Sequence, residues 1–122
     1  MKTIIAGSRE YENYKAVSSV MDRCPWPVTE VVCGKARGAD TLGETWGKCN
    51  QIKIEYFPAE WKTDDGKFNK AAGYNRNKQM AEHAEAAVVF WDGESSGSKH
   101  MIDLSLEHGL HLLVVMTGKQ NG

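Results

Sequence analysis

TEVVCGKARGADTLGETWGKC, residues 29–49, is the stretch from which the architecture follows. Thr29 to Cys33 is a short β-branched run, closed by the turn-forming segment Gly34-Lys35-Ala36-Arg37-Gly38-Ala39-Asp40. Thr41 to Cys49 then sets Leu42 and Trp46 on one helical face. Strand, glycine-bearing loop and helix follow one another, and the same unit recurs on both sides. Upstream, the apolar run Lys2 to Ala6 stops at Gly7-Ser8-Arg9-Glu10, and Tyr14, Val17, Val20 and Met21 recur at helical spacing until Pro25 and Pro27 end the helix. Downstream, Ile52 to Phe57 alternates apolar with polar before Pro58. Asn75 to His83 reads as a helix, Ala86 to Trp91 as a buried strand, Asp92 to Ser98 as a glycine- and serine-rich loop, Lys99 to His108 as a helix and His111 to Met116 as a fifth strand.

Strands alternating with helices require a parallel sheet covered on both faces, and right-handed crossovers leave few topologies. The expectation is a single α/β domain over residues 1–122: a doubly wound, Rossmann-like, five-stranded parallel sheet of order 3-2-1-4-5, helices on both faces. In such sheets ligands bind beyond the carboxyl ends of the strands, at the switch point between the first and fourth. The polar, glycine-containing stretch 59–74 stands apart as a flap.

With 122 residues the chain suits one core, and 41% hydrophobic with 25% charged residues is an ordinary globular composition. Fifteen basic against sixteen acidic residues give a net charge of −1, so no global field draws the molecule onto nucleic acid or an anionic membrane. Any polyanion must be held locally. Cys24, Cys33 and Cys49 make no CxxC pair, and the N-terminus enters a strand pattern at once, which leads to the expectation of a cytoplasmic protein without a targeting peptide or disulfide framework. No run approaches the roughly 18 apolar residues that a membrane span needs.

Three loops therefore face the same crevice. Gly7-Ser8-Arg9-Glu10 offers backbone N–H groups, a hydroxyl and a guanidinium, although in a plain turn Arg9 would pair with Glu10 or a neighbouring carboxylate. Gly34 to Asp40 leads into a helix N-terminus, where glycine lets a phosphate come close to the backbone; it matches neither a Walker A nor a GxGxxG pattern. Asp40 alternatively caps that helix. Asp92-Gly93-Glu94-Ser95-Ser96-Gly97-Ser98 forms a hydrogen-bonding cradle before another helix, a composition that ordinary loops share.

Gly34 to Asp40, Arg76-Asn77 with Met80, and Val88-Val89-Phe90 leading to Ser96-Gly97-Ser98 resemble the SLOG superfamily, nearest to its YspA-like group. The superfamily also holds the DNA-processing protein A domain and the lonely-guy phosphoribohydrolases. The resemblance implies a Rossmann-like fold that binds a phosphorylated nucleotide or nucleotide-derived small molecule, ADP-ribose-like, with Arg76 near the phosphates. The candidate ligand-binding residues are Gly7, Ser8, Arg9, Gly34, Arg37, Gly38, Ala39, Asp40, Arg76, Asn77, Ser95, Ser96, Gly97 and Ser98. It also implies a homo-oligomer, and no cofactor is expected. In the phosphoribohydrolases a glutamate follows the matching Gly-Thr pair by three positions, and here Met101 occupies that place. A thioether is no general base, so binding is favoured over turnover. The rival is an N-glycosidic or phosphoester hydrolase using Glu10, Glu44 or Glu94.

Single-stranded nucleic-acid binding is a third function class. Residues 60–78 carry five basic and three acidic side chains, but residues 92–108 carry one lysine against four acids, which repels a long polyanion. His83, His100, His108 and His111 lack metal-ligand spacing. Cys33 at a strand end reads as a buried apolar residue rather than a nucleophile. Asp103 reads as a surface charge, Trp46 and Trp91 as core, and Trp61 either stacks on a base or anchors the flap.

Overall fold

The computed structural model describes residues 1–36, 38–62, 66–67 and 71–117. The elements run β1 (Lys2–Gly7), α1 (Tyr14–Asp22), β2 (Glu30–Cys33), α2 (Ala39–Cys49), β3 (Lys53–Tyr56), α3 (Ala72–His83), β4 (Ala86–Trp91), α4 (Ser96–Glu107) and β5 (His111–Met116). All five strands pair in parallel in the order β3-β2-β1-β4-β5, as expected.

The apolar strands divide their side chains between two cores, because successive residues point to opposite faces. Ile4, Val32, Ala87 and Val89 meet Met80 of α3 and Met101 and Ile102 of α4. Ile5, Val31, Val88 and Phe90 meet Val17 and Met21 of α1 and Trp46 of α2. Trp46 also donates its indole N–H to Asp22 Oδ1 at 3.0 Å, which ties α2 to α1. The far end of α3 is pinned where His83 Nε2 lies 2.6 Å from the buried Glu30 carboxylate of β2, so the helix that carries Arg76 is held at both ends of the sheet.

The helices start earlier than periodicity indicates: α2 at Ala39 rather than Thr41, α3 at Ala72 rather than Asn75, and α4 at Ser96 rather than Lys99. The residues that open them, Ala39-Asp40, Ala72-Gly73 and Ser96-Gly97-Ser98, are small or polar and carry no apolar stripe. The expected flap is correspondingly shorter, since Ala72–Tyr74 are helical; positions 63–65 and 68–70 lie outside the described residues. Among the described residues no helix is long and apolar enough to cross a membrane.

Candidate functional site

The first loop is fastened to its neighbours by its own backbone. Ser8 N–H donates to the Phe90 carbonyl at 3.2 Å, and the Ser8 carbonyl accepts from Tyr11 and Ala39 at 3.2 and 3.3 Å. The end of β4 and the start of α2 are thereby joined to the turn after β1. The Ser8 hydroxyl accepts from Glu10 N–H and donates to Asp92. Asp92 Oδ1 in turn takes the N–H groups of Ser95 and Glu94, each at 2.8 Å, and these bonds hold its carboxyl below the usual range. One carboxylate thus shapes the third loop and ties it to the first.

In the second loop Gly38 is required by geometry. Its φ is +77°, and a Cβ there would lie 2.2 Å from the Ser8 carbonyl oxygen. Arg37 lies outside the described residues. Asp40, the second residue of α2, does not cap its helix; its Oδ2 turns back to accept Ala36 N–H at 3.4 Å and also bonds Gly34 N–H. Burial pushes this carboxyl up to about 6, against the pull of Arg76, the loop amides and Arg9. Arg76 reaches in from α3, 9% exposed, donating Nη1 to the Gly34 carbonyl and Nε to Asn77 Oδ1 at 2.9 Å. A Cβ on residue 34 would stand 2.7 Å from Asp40 Oδ2 and 2.8 Å from Arg76 Nη1, so glycine lets the two charges approach.

The third loop ends at Ser95, the N-cap of α4, and no side-chain oxygen among the described residues caps that helix. The Ser95 carbonyl accepts the Trp91 indole N–H at 3.1 Å, and Ser98 Oγ donates to Ser95 Oγ at 3.2 Å. A Cβ on Gly97 would meet nothing within 4 Å among the described residues, so packing does not demand glycine there. The first turn of α4 presents amide donors and the positive end of its dipole.

These loops enclose a cleft of about 500 Å³. Of the residues expected from the sequence, Gly7–Arg9, Asp40, Arg76, Asn77 and Ser95–Ser98 line it. Gly34 lines an adjoining cleft instead. Gly38 and Ala39 line neither, being packed beneath Ser8. Met80 and the buried Met101 line the cleft, with Trp61 and Tyr74, 39% and 54% exposed, on its walls. Tyr74 meets His100 edge-on at 4.5 Å between ring centroids, and Asn77 Nδ2 lies 3.3 Å from His100 Nδ1. Residue spacing singles out neither Tyr74 nor Asp92: Tyr74 falls in the stretch expected to be a flap, and Asp92 resembles any other loop acid. An acid followed by glycine is nonetheless an Asx-turn signal, with its amides two and three positions on.

Among the rival carboxylates only Glu10 borders the cleft. Glu44 pairs with Lys35 at 3.1 Å and Lys48 at 3.6 Å; burial pushes its carboxyl up, but these lysines outweigh that and hold it low. Glu94 is exposed. Burial pushes the Cys33 thiol up to about 11, which suppresses thiolate chemistry. Asp103 pairs with Lys99 at 2.7 Å on the surface of α4. Among the described residues no group of three or more His, Cys, Asp and Glu is placed to hold a metal ion.

A family model described as "YspA, cpYpsA-related SLOG family" matches residues 1–63, which run from β1 through β3 and include the first two loops. The Gene 61 protein of Mycobacterium phage D29 is 27% identical over 118 residues, an alignment covering 92% of this chain and 94% of that one. The X-ray structure of DNA processing protein A (DprA) from Streptococcus pneumoniae superposes with a TM-score of 0.79 over 98% of this chain at 17% identity. The match takes in 52% of that protein, so the chain spans about half its length, and the likeness is one of fold.

Proposed function

The chain belongs to the YspA, cpYpsA-related SLOG family, and from that premise we propose that its cleft binds a phosphorylated nucleotide or nucleotide-derived small molecule. The observation that carries this reading is the convergence of the Ser8–Arg9 loop, the buried Arg76 and the uncapped first turn of α4 on one cleft. Free amides at a helix N-terminus receive a phosphate without further reorganisation. Trp61 and Tyr74 supply flat apolar surface for a base, and about 500 Å³ falls in the range of small-molecule sites.

Binding without turnover is the form we favour. Cleavage of an N-glycosidic bond in the manner of the phosphoribohydrolases calls for a carboxylate where the cleft presents Met101. Glu10 keeps the hydrolase alternative specific, since it is a second carboxylate beside Asp40 at the cleft. Incubation with AMP and with ADP-ribose followed by chromatography distinguishes the two: intact nucleotide is expected, and catalytic release of free base or sugar phosphate would overturn the binding reading.

The α4 N-terminus makes a sharper test. Gly97→Asp puts a carboxylate into the first turn of α4, where the dipole favours it by about 0.3–1 kcal/mol, and the space around Gly97 is open. Thermal denaturation is expected to show unchanged or raised stability, whereas calorimetric titration with AMP is expected to show binding at least tenfold weaker. Undiminished AMP affinity in this variant would place the phosphate elsewhere.

A further inference from the structure

A second cleft, about 390 Å³, opens beside the first and shares Arg9, Ala36, Trp61 and Arg76 with it. Their charges differ. The first cleft sets Asp40 and Glu10 against Arg9 and Arg76, so its cations are balanced. The second adds Lys35 to the same two arginines; no carboxylate is among the described residues that line it, and those that face these cations, Asp40 and Glu44, stand outside it. Gly34, Lys35 and Ala36 line it together with Pro58, Ala59 and the Trp61 that it shares with the first cleft.

Lys35 is held in place for this position. It is a non-glycine residue at φ +59°, a backbone state that side chains other than those of asparagine and aspartate seldom adopt. Its N–H bonds Cys33 Sγ at 3.5 Å, its ammonium lies 3.1 Å from Glu44 Oε1, and the Tyr56 ring lies beneath it at 4.7 Å. Glu44 is shared with Lys48 at 3.6 Å, so one carboxylate serves two ammonium groups.

We propose that the second cleft is an anion subsite, and that the ligand is a nucleotide with two separated anionic groups, a dinucleotide rather than a mononucleotide. This rests on the reading of the first cleft as a nucleotide site. One phosphate lies at the α4 N-terminus; the other passes Arg9 and Arg76 and ends against Lys35. The same chemistry is offered by a free dinucleotide and by the phosphorylated end of a single strand, and the near-neutral charge of the chain favours the free molecule.

Calorimetric titration of the wild type with AMP, with the 5′-phosphorylated diadenylate pApA and with a 5′-phosphorylated octa-adenylate tests this. The diadenylate is expected to bind at least tenfold more tightly than AMP, and the octamer no more tightly than the diadenylate. Lys35→Asn removes the charge while suiting the left-handed backbone, so the fold is not at risk. It is expected to abolish the advantage of the diadenylate and to change AMP affinity less than twofold; Lys35→Arg is expected to retain the advantage. If AMP binds and the diadenylate binds equally, or if Lys35→Asn weakens both alike, the subsite is refuted while the nucleotide reading stands. Failure of all three probes refutes both, and an octamer tighter by a further factor of ten refutes the free dinucleotide.

Discussion

Replacement of Arg76 by alanine is expected to lower stability by about 3 kcal/mol at pH 7, read by urea denaturation, because it breaks a buried ion pair and removes a buried donor. Asp40 and Arg76 are 6% and 9% exposed, and Arg76 also satisfies the Gly34 carbonyl. The loss carries a pH signature. Asp40 has an ordinary value of 3.8 and is pushed up to about 6 in the folded protein. A carboxyl raised on folding destabilises above its unfolded value, and that penalty is relieved as pH falls through the folded value. Arg76 is the strongest influence holding Asp40 down, so its removal drives the carboxyl higher still. Wild type gains from ionising Asp40 at pH 7 what the variant cannot, and neither ionises it appreciably at pH 5. The deficit should therefore shrink by about 1 kcal/mol between pH 7 and pH 5. A deficit independent of pH would show that the pair is not electrostatically coupled.

Gly38→Ala is expected to be comparably damaging, for a steric reason. The backbone at residue 38, φ +77° and ψ −128°, lies where only glycine rests comfortably, and an alanine there stores about 1–3 kcal/mol. Its Cβ would also lie 2.2 Å from the Ser8 carbonyl and 2.7 Å from Arg9 Cα, both backbone atoms that cannot swing aside. Relief requires the Ser8–Arg9 turn to part from the start of α2, which breaks the Ala39 to Ser8 hydrogen bond. The total is expected to be about 3–5 kcal/mol in urea denaturation, with AMP binding reduced at least tenfold in whatever fraction stays folded. Stability within about 1 kcal/mol of wild type, the usual effect of an ordinary substitution, would mean that the first two loops are not locked together.

Much of this architecture was legible in the residues. Val31-Val32-Cys33 and Ala86 to Trp91 are apolar throughout because both faces of their strands are covered, and such runs advertise a central parallel sheet. The handedness of the crossovers narrowed the topologies, and the order 3-2-1-4-5 followed once the chain was taken to wind outward on both sides of β1. Helix starts were hidden: Ala72-Gly73 and Ser96-Gly97-Ser98 form first turns without an apolar stripe, and only tertiary packing makes them helical. The gathering of three loops at one edge was legible, since every loop after a parallel strand emerges on the same side. What each side chain does there was not. Asp40 turning back to hold its own loop, Ser8 donating its hydroxyl to Asp92, and Tyr74 lining the cleft from α3 depend on side-chain direction, which spacing does not specify.

The central claim is that separate loops grip one ligand together. Titration of ¹⁵N-labelled protein with AMP, followed by amide NMR, tests it most directly. The amides of Ser8 and Arg9 and those of Ser96, Gly97 and Ser98 are expected to shift in concert, with one common dissociation constant. Shifts confined to a single loop, or centred on the outer surface of α1, would contradict it.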